Sequence, residues 1–139
     1  MPDPNETSAP PSTSVRLIVA DSYELQREAM RLMLETEPEL RIIAEAKDGQ
    51  EAIELCRRHR PDLVLLSASM PRLNGFDATR RLKVELPATK VLILSGHEDP
   101  FFRSEAAKAG ADGYGLKLAS LQEIRETIRR VLQGEFRYP

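Results

Sequence analysis

The side chains in this sequence that could do chemistry together are few. Asp21 and Ser22 follow one short apolar run, Ser67 and Ser69 follow a second, Ser95 a third, and Lys117 a fourth. A carboxylate, with an ordinary pKa of ~4, needs no base to attack an electrophile or hold a cation, and Asp21 is the one such side chain in this set. A serine hydroxyl does need an adjacent base or a comparable activator. Lys117 supplies an ammonium suited to anionic oxygens. No histidine directly leaves any of these runs, and His97, farther along its loop, reads as an exposed loop side chain.

What brings such residues together is the alternation around them. Short apolar runs at 15–20, 41–46, 63–66, 91–94 and 114–116 alternate with longer charged stretches of helical period. Runs with few polar interruptions suit strands covered on both faces, as in a parallel sheet. Strict alternation implies right-handed crossovers, with helices on both faces. The expectation is an α/β domain of five strands and five helices. In an open α/β sheet, ligands bind beyond the C-terminal strand ends, which is where Asp21, Ser67, Ser95 and Lys117 fall.

The first helical stretch is expected to bury Leu25, Ala29, Leu32 and Met33, and the last Leu121, Ile124, Ile128, Val131 and Leu132. Ser120 and Glu123 form a capping-box signature at the start of the last helix. Asp99 and Pro100 mark the start of the fourth. Gly110 and Gly134 suit helix stops.

Composition sets the outer limits. The 139 residues hold 20 Lys and Arg against 22 Asp and Glu, for a net charge of -2. Asp3 and Glu6 lie in the Pro/Ser/Thr-rich stretch 1–14, so 20 acidic side chains face 20 basic ones in the remainder. That balance argues against a dedicated nucleic-acid surface, and the clusters Arg57–Arg60, Arg80–Arg81 and Arg129–Arg130 read as solvated helix faces. One cysteine excludes an internal disulfide framework, and Cys56 with His59 is too small a set for a metal site. No apolar run approaches the ~20 residues of a membrane span, and no signal peptide is visible, so a cytoplasmic protein with no membrane partner is expected. Residues 1–14 are expected to be a disordered arm, 15–134 the domain, and 135–139 a tail or the start of a linker. The match of Asn5-Glu6-Thr7 to a glycosylation sequon reads as chance.

The segments IVADSYELQREAMRLML, EAKDGQEAIEL, RPDLVLLSASMPRLNGFDATRRL, KVLILSG and KAGADGYGLK, in this order and spacing, resemble the receiver domains of bacterial two-component response regulators, the NarL type most of all. The resemblance implies a doubly wound, flavodoxin-like sheet with strand order 2-1-3-4-5. It implies a phosphoacceptor aspartate ending strand 3, a pair of acids after strand 1 that helps hold Mg²⁺, a Ser/Thr after strand 4, an aromatic on strand 5 and a Lys after it.

Asp21, Ser95, Tyr114 and Lys117 match that pattern. Ser69 falls where relatives supply a metal-binding carbonyl. Ser67 stands at the phosphoacceptor position and Ser22 at the second acid. With both acids replaced, the pocket charge falls to about zero, leaving at most weak Mg²⁺ binding at Asp21. Lys117 is expected to pair with Asp21 or to hydrogen-bond a serine. Tyr114 is expected to be a half-buried packing residue.

The expectation is an atypical, non-enzymatic receiver that requires no cofactor and works by protein contact. Its partners would be a second copy, an output domain or another protein. A histidine kinase partner stays open, and DNA would be reached only through a helix-turn-helix domain outside this chain. Phe101 and Phe102 are candidate surface aromatics. The alternatives are a phosphorylation switch of altered chemistry, a stand-alone interaction module, or an unrelated α/β enzyme or flavin binder.

Overall fold

The structure, a computed structural model, describes residues 14–96 and 98–138. Residues 1–13 of the arm expected over 1–14 lie outside those residues, with the sequon, as does His97. Five strands alternate with five helices: β1 (Val15–Ala20), α1 (Glu24–Leu34), β2 (Leu40–Ala46), α2 (Gly49–His59), β3 (Leu63–Ser67), α3 (Gly75–Glu85), β4 (Lys90–Ser95), α4 (Pro100–Ala109), β5 (Gly113–Leu116) and α5 (Leu121–Gln133). All strand pairs are parallel, in the order β2-β1-β3-β4-β5. Each strand therefore ends at the same edge of the sheet, as the alternation required.

Two apolar layers flank the sheet. On one face Ile18, Val64, Leu66 and Ile93 meet α2, α3 and α4 through Ile53, Leu82 and Ala106. On the other Leu17, Leu65 and Leu92 meet α1 and α5 through Leu34, Ile124, Ile128 and Val131. β3 is buried along its whole length, which explains its unbroken apolar sequence.

The helix limits obey their local chemistry. Asp99 accepts the Phe101 N–H at 2.8 Å, and Pro100 opens α4. Gly110 and Gly134 close α4 and α5 at φ 89° and 71°, a region that disfavours side chains with a Cβ. The Ser120 hydroxyl accepts the Glu123 N–H at 3.1 Å. It also donates to the Glu123 carboxylate at 3.1 Å, so the box closes through side chains on its second arm.

The expected face of α5 is confirmed, whereas that of α1 is corrected. Leu25 is 79% and Leu32 61% exposed, and Ala29 is exposed as well. Of the expected residues only Met33 packs inward, beside Met30 and the buried Leu34. The helix has apolar residues on two overlapping stripes. Its rotation follows Arg27 and Arg31, both of which reach Glu45 on β2.

Candidate functional site

Asp21 is the first residue beyond β1, and its backbone N–H donates to the Ala46 carbonyl at 3.0 Å. Both carboxylate oxygens are engaged. Oδ1 accepts the Tyr23 N–H at 3.0 Å, where α1 begins. Oδ2 accepts from the Lys117 ammonium at 2.7 Å. This pair spans 96 residues of sequence, and its side chains are only 8% and 17% exposed. The expectation left Lys117 between Asp21 and a serine, and Asp21 holds it. The Asp21 carbonyl accepts from the Arg27 guanidinium at 2.7 Å.

Ser67 and Ser95 are the last residues of β3 and β4, not the first residues beyond them, and both are buried. The Ser67 hydroxyl donates to the Ser69 carbonyl at 3.2 Å, so the oxygen expected to face a cation serves a hydroxyl. Around this bond the loop is pinned: Ala68 N–H donates to Leu94, and Gly75 N–H to Ala68, both at 2.9 Å. α3 begins so close that a Cβ on Gly75 would sit 2.3 Å from the Ser67 carbonyl oxygen. Ser22 is half-buried, and Ser69 is exposed.

Asp21, Gln26, Met30, Ser67 and Lys117 line one small cavity of about 20 Å³. That is near the least volume that holds a single water. Tyr114 is buried, not half-buried as expected, because α4 closes over it and Arg103 lies 5.5 Å from its ring centre. No peptide bond among the described residues is cis, that between Lys117 and Leu118 included.

The donor set does not fit Mg²⁺. A hard dication prefers several oxygen ligands, with one or two carboxylates free to bind it. Here the cavity has one carboxylate, and its outer oxygen already carries an ammonium. Among the described residues, no three His, Cys, Asp or Glu side chains are placed to hold a metal ion.

Residues 17–129 match the response regulator receiver domain family. The chain belongs to that family. Among receiver-containing relatives it is 37% identical over 120 residues to the transcriptional regulatory protein DegU of Brevibacillus brevis, covering 86% of this chain and 51% of that protein. It is 32% identical over 121 residues to the response regulator UvrY of Escherichia coli, covering 87% and 56%. This receiver chain thus spans about half the length of the curated relatives it matches. A two-component response regulator of the LuxR family from an Aurantimonas species superposes with a TM-score of 0.85 at 31% identity, covering 91% of each chain.

Sequence reasoning did not find Arg27. It links the Asp21 carbonyl to Glu45 at 3.3 Å, and no local pattern signals a contact between a helix and a neighbouring strand. Nor did it find Phe136 and Tyr138, which pack against the core beyond α5. Their apolar character in a polar tail was the one available signal. Of the two candidate surface aromatics, Phe101 is 60% exposed, whereas Phe102 is half-buried and packs against the core. No helix among the described residues is long and apolar enough to cross a membrane.

Proposed function

We propose that this receiver is an atypical signalling domain that is not switched by aspartyl phosphorylation and communicates by protein contact. The observation that carries the reading is the Lys117 ammonium on the Asp21 carboxylate, beside a β3 that ends in serine. An ion pair within hydrogen-bond distance needs no metal to relieve its charge. The Ser67 hydroxyl in the same cavity donates to the Ser69 carbonyl, and the one carboxylate of the lining, Asp21, is already paired with Lys117 and not with that hydroxyl. The resemblance places acids at both Ser22 and Ser67, and those replacements remove the nucleophile and the second metal ligand together.

On this reading the domain uses no Mg²⁺ and performs no catalysis of its own. Its partners are a second copy of the chain, an output domain or another protein. The names of the relatives support a role in bacterial transcription, with DNA contacted by a domain outside this chain.

The test is an amide-resolved NMR titration with Mg²⁺ and beryllofluoride, run beside acetyl-phosphate labelling. The expected result is no saturable shift at Asp21, Ser67, Ser95 or Lys117, and no incorporation of phosphate. A saturable shift, or stoichiometric labelling lost in Ser67→Ala, would overturn the proposal and establish a switch of altered chemistry.

A further inference from the structure

The segment after α5 does not leave the domain directly. Phe136 packs against both apolar clusters, one on each face of the sheet. A residue that touches both layers must lie at the sheet edge, and the adjoining edge strand is β5. There the Phe136 ring lies 3.4 Å from where a Cβ on Gly113 would stand. Two residues on, Tyr138 packs with the α2–α4 layer, on the face opposite α5. Its ring meets Phe136 edge-on at 5.1 Å. Its hydroxyl donates to the Ala111 carbonyl at 2.9 Å, one residue beyond the glycine that closes α4.

Tyr138 also forms one wall of a groove of about 350 Å³ whose other wall is α4, through Pro100, Arg103, Ser104 and Ala107. Arg103 in turn lies over the ring of Tyr114. Arg103 thus joins Tyr114 to α4, and the Tyr138 hydroxyl ties the segment after α5 to Ala111, just past the end of α4.

We infer that residues 135–138 are a strap that wraps the β5 edge, grips the end of α4, and couples its own seating to the position of α4. The inference is independent of whether the pocket takes phosphate, because none of its contacts involves Asp21, Ser67 or Lys117. The strap also covers an edge strand, whose unpaired backbone groups otherwise invite pairing with another chain. Burial and the nearby Asp112 carboxylate push the Tyr138 phenol well above its ordinary titration range, consistent with a seated ring.

The experiment is hydrogen–deuterium exchange on the full chain, comparing wild type with Tyr138→Phe and Phe136→Ala. Losing one hydrogen bond of ordinary strength corresponds to roughly 2- to 10-fold in a local opening equilibrium. Tyr138→Phe is expected to accelerate exchange by that factor in residues 111–116 and along α4, with α2 and β1 unchanged. Phe136→Ala is expected to do so more strongly, and Tyr138→Phe carries the test should Phe136→Ala unfold the domain. Acceleration confined to residues 135–138, or none at all, would overturn the inference, since a segment that merely rests on the surface leaves α4 untouched.

Discussion

At Asp21 a single residue ties α1 and the residue after β5 to the end of β1. Its carboxylate receives the start of α1 and the ammonium that follows β5, while its carbonyl is held by Arg27. Removing one member of such a pair leaves the other charge partly desolvated. Lys117→Met is expected to lower stability by about 2–3 kcal/mol, below the range for fully buried pairs because Lys117 keeps some contact with water. Asp21→Asn should cost a similar amount. The double variant should be less destabilised than the sum, with a coupling of about 1–2 kcal/mol in urea denaturation. Exact additivity would mean that the ion pair does not form in solution. Cys56 gives a second test at this scale. It is fully buried, and burial pushes its thiol from 9.0 up to about 12. The neutral thiol is favoured in the folded state, so this stabilisation is present below pH 9 and is lost as pH rises toward 12. Iodoacetamide at pH 8 is expected to label Cys56 only after denaturation, and the thermal midpoint of Cys56→Ala should fall less steeply than wild type across that alkaline window.

Helices α1 and α5 show what pattern alone can and cannot decide. In α5 every position off the apolar stripe is polar or charged, so only one rotation buries Ile124, Ile128 and Val131. In α1 the stripe through Leu25, Ala29, Leu32 and Met33 competes with one through Met30, Met33 and Leu34, which shares Met33, and both fit the helical period. The choice is made outside the helix by Glu45 and by the Asp21 carbonyl, which draw Arg27 and Arg31 toward β2. No single-helix reading contains that information. The strand ends were legible for the opposite reason: parallel alternation forces Asp21, Ser67, Ser95 and Lys117 to one edge whatever their side chains do. Which partner Lys117 takes was not legible, because hydroxyl and carboxylate lie at the same edge. The two stripes of α1 predict opposite responses. Leu34→Ala should cost about 2–4 kcal/mol in denaturant unfolding, whereas Leu25→Ala and Leu32→Ala should stay within about 0.5 kcal/mol of wild type. The reverse order would mean that α1 packs on its other face.

Across the whole domain, the pocket's charge decides whether folding and metal binding are linked. A ligand that binds only the folded state raises stability by RT ln(1 + [L]/Kd), or about 2.7 kcal/mol at a hundredfold excess over Kd. Under the proposed function, one carboxylate neutralised by one ammonium leaves such a ligand no charge to relieve. Its thermal midpoint is expected to be the same with and without millimolar Mg²⁺. Replacing both serines by acids, as Ser22→Asp with Ser67→Asp, would add two negative charges beside Asp21 against the single charge of Lys117. Repulsion should then lower the midpoint in chelator, by several degrees for a domain of this size if the cost is about 1–2 kcal/mol. Mg²⁺ should restore that loss, because the variant has regained the carboxylates that a hard cation needs. The pair of melts separates two causes of silence at this site. If the double variant responds and wild type does not, the two serines alone disconnect the fold from the ion. If neither responds, the Lys117–Asp21 pair is closed tightly enough to exclude the ion even with the acids in place. If wild type itself responds, Asp21 releases Lys117 on demand, and the reading of a metal-independent receiver fails with it.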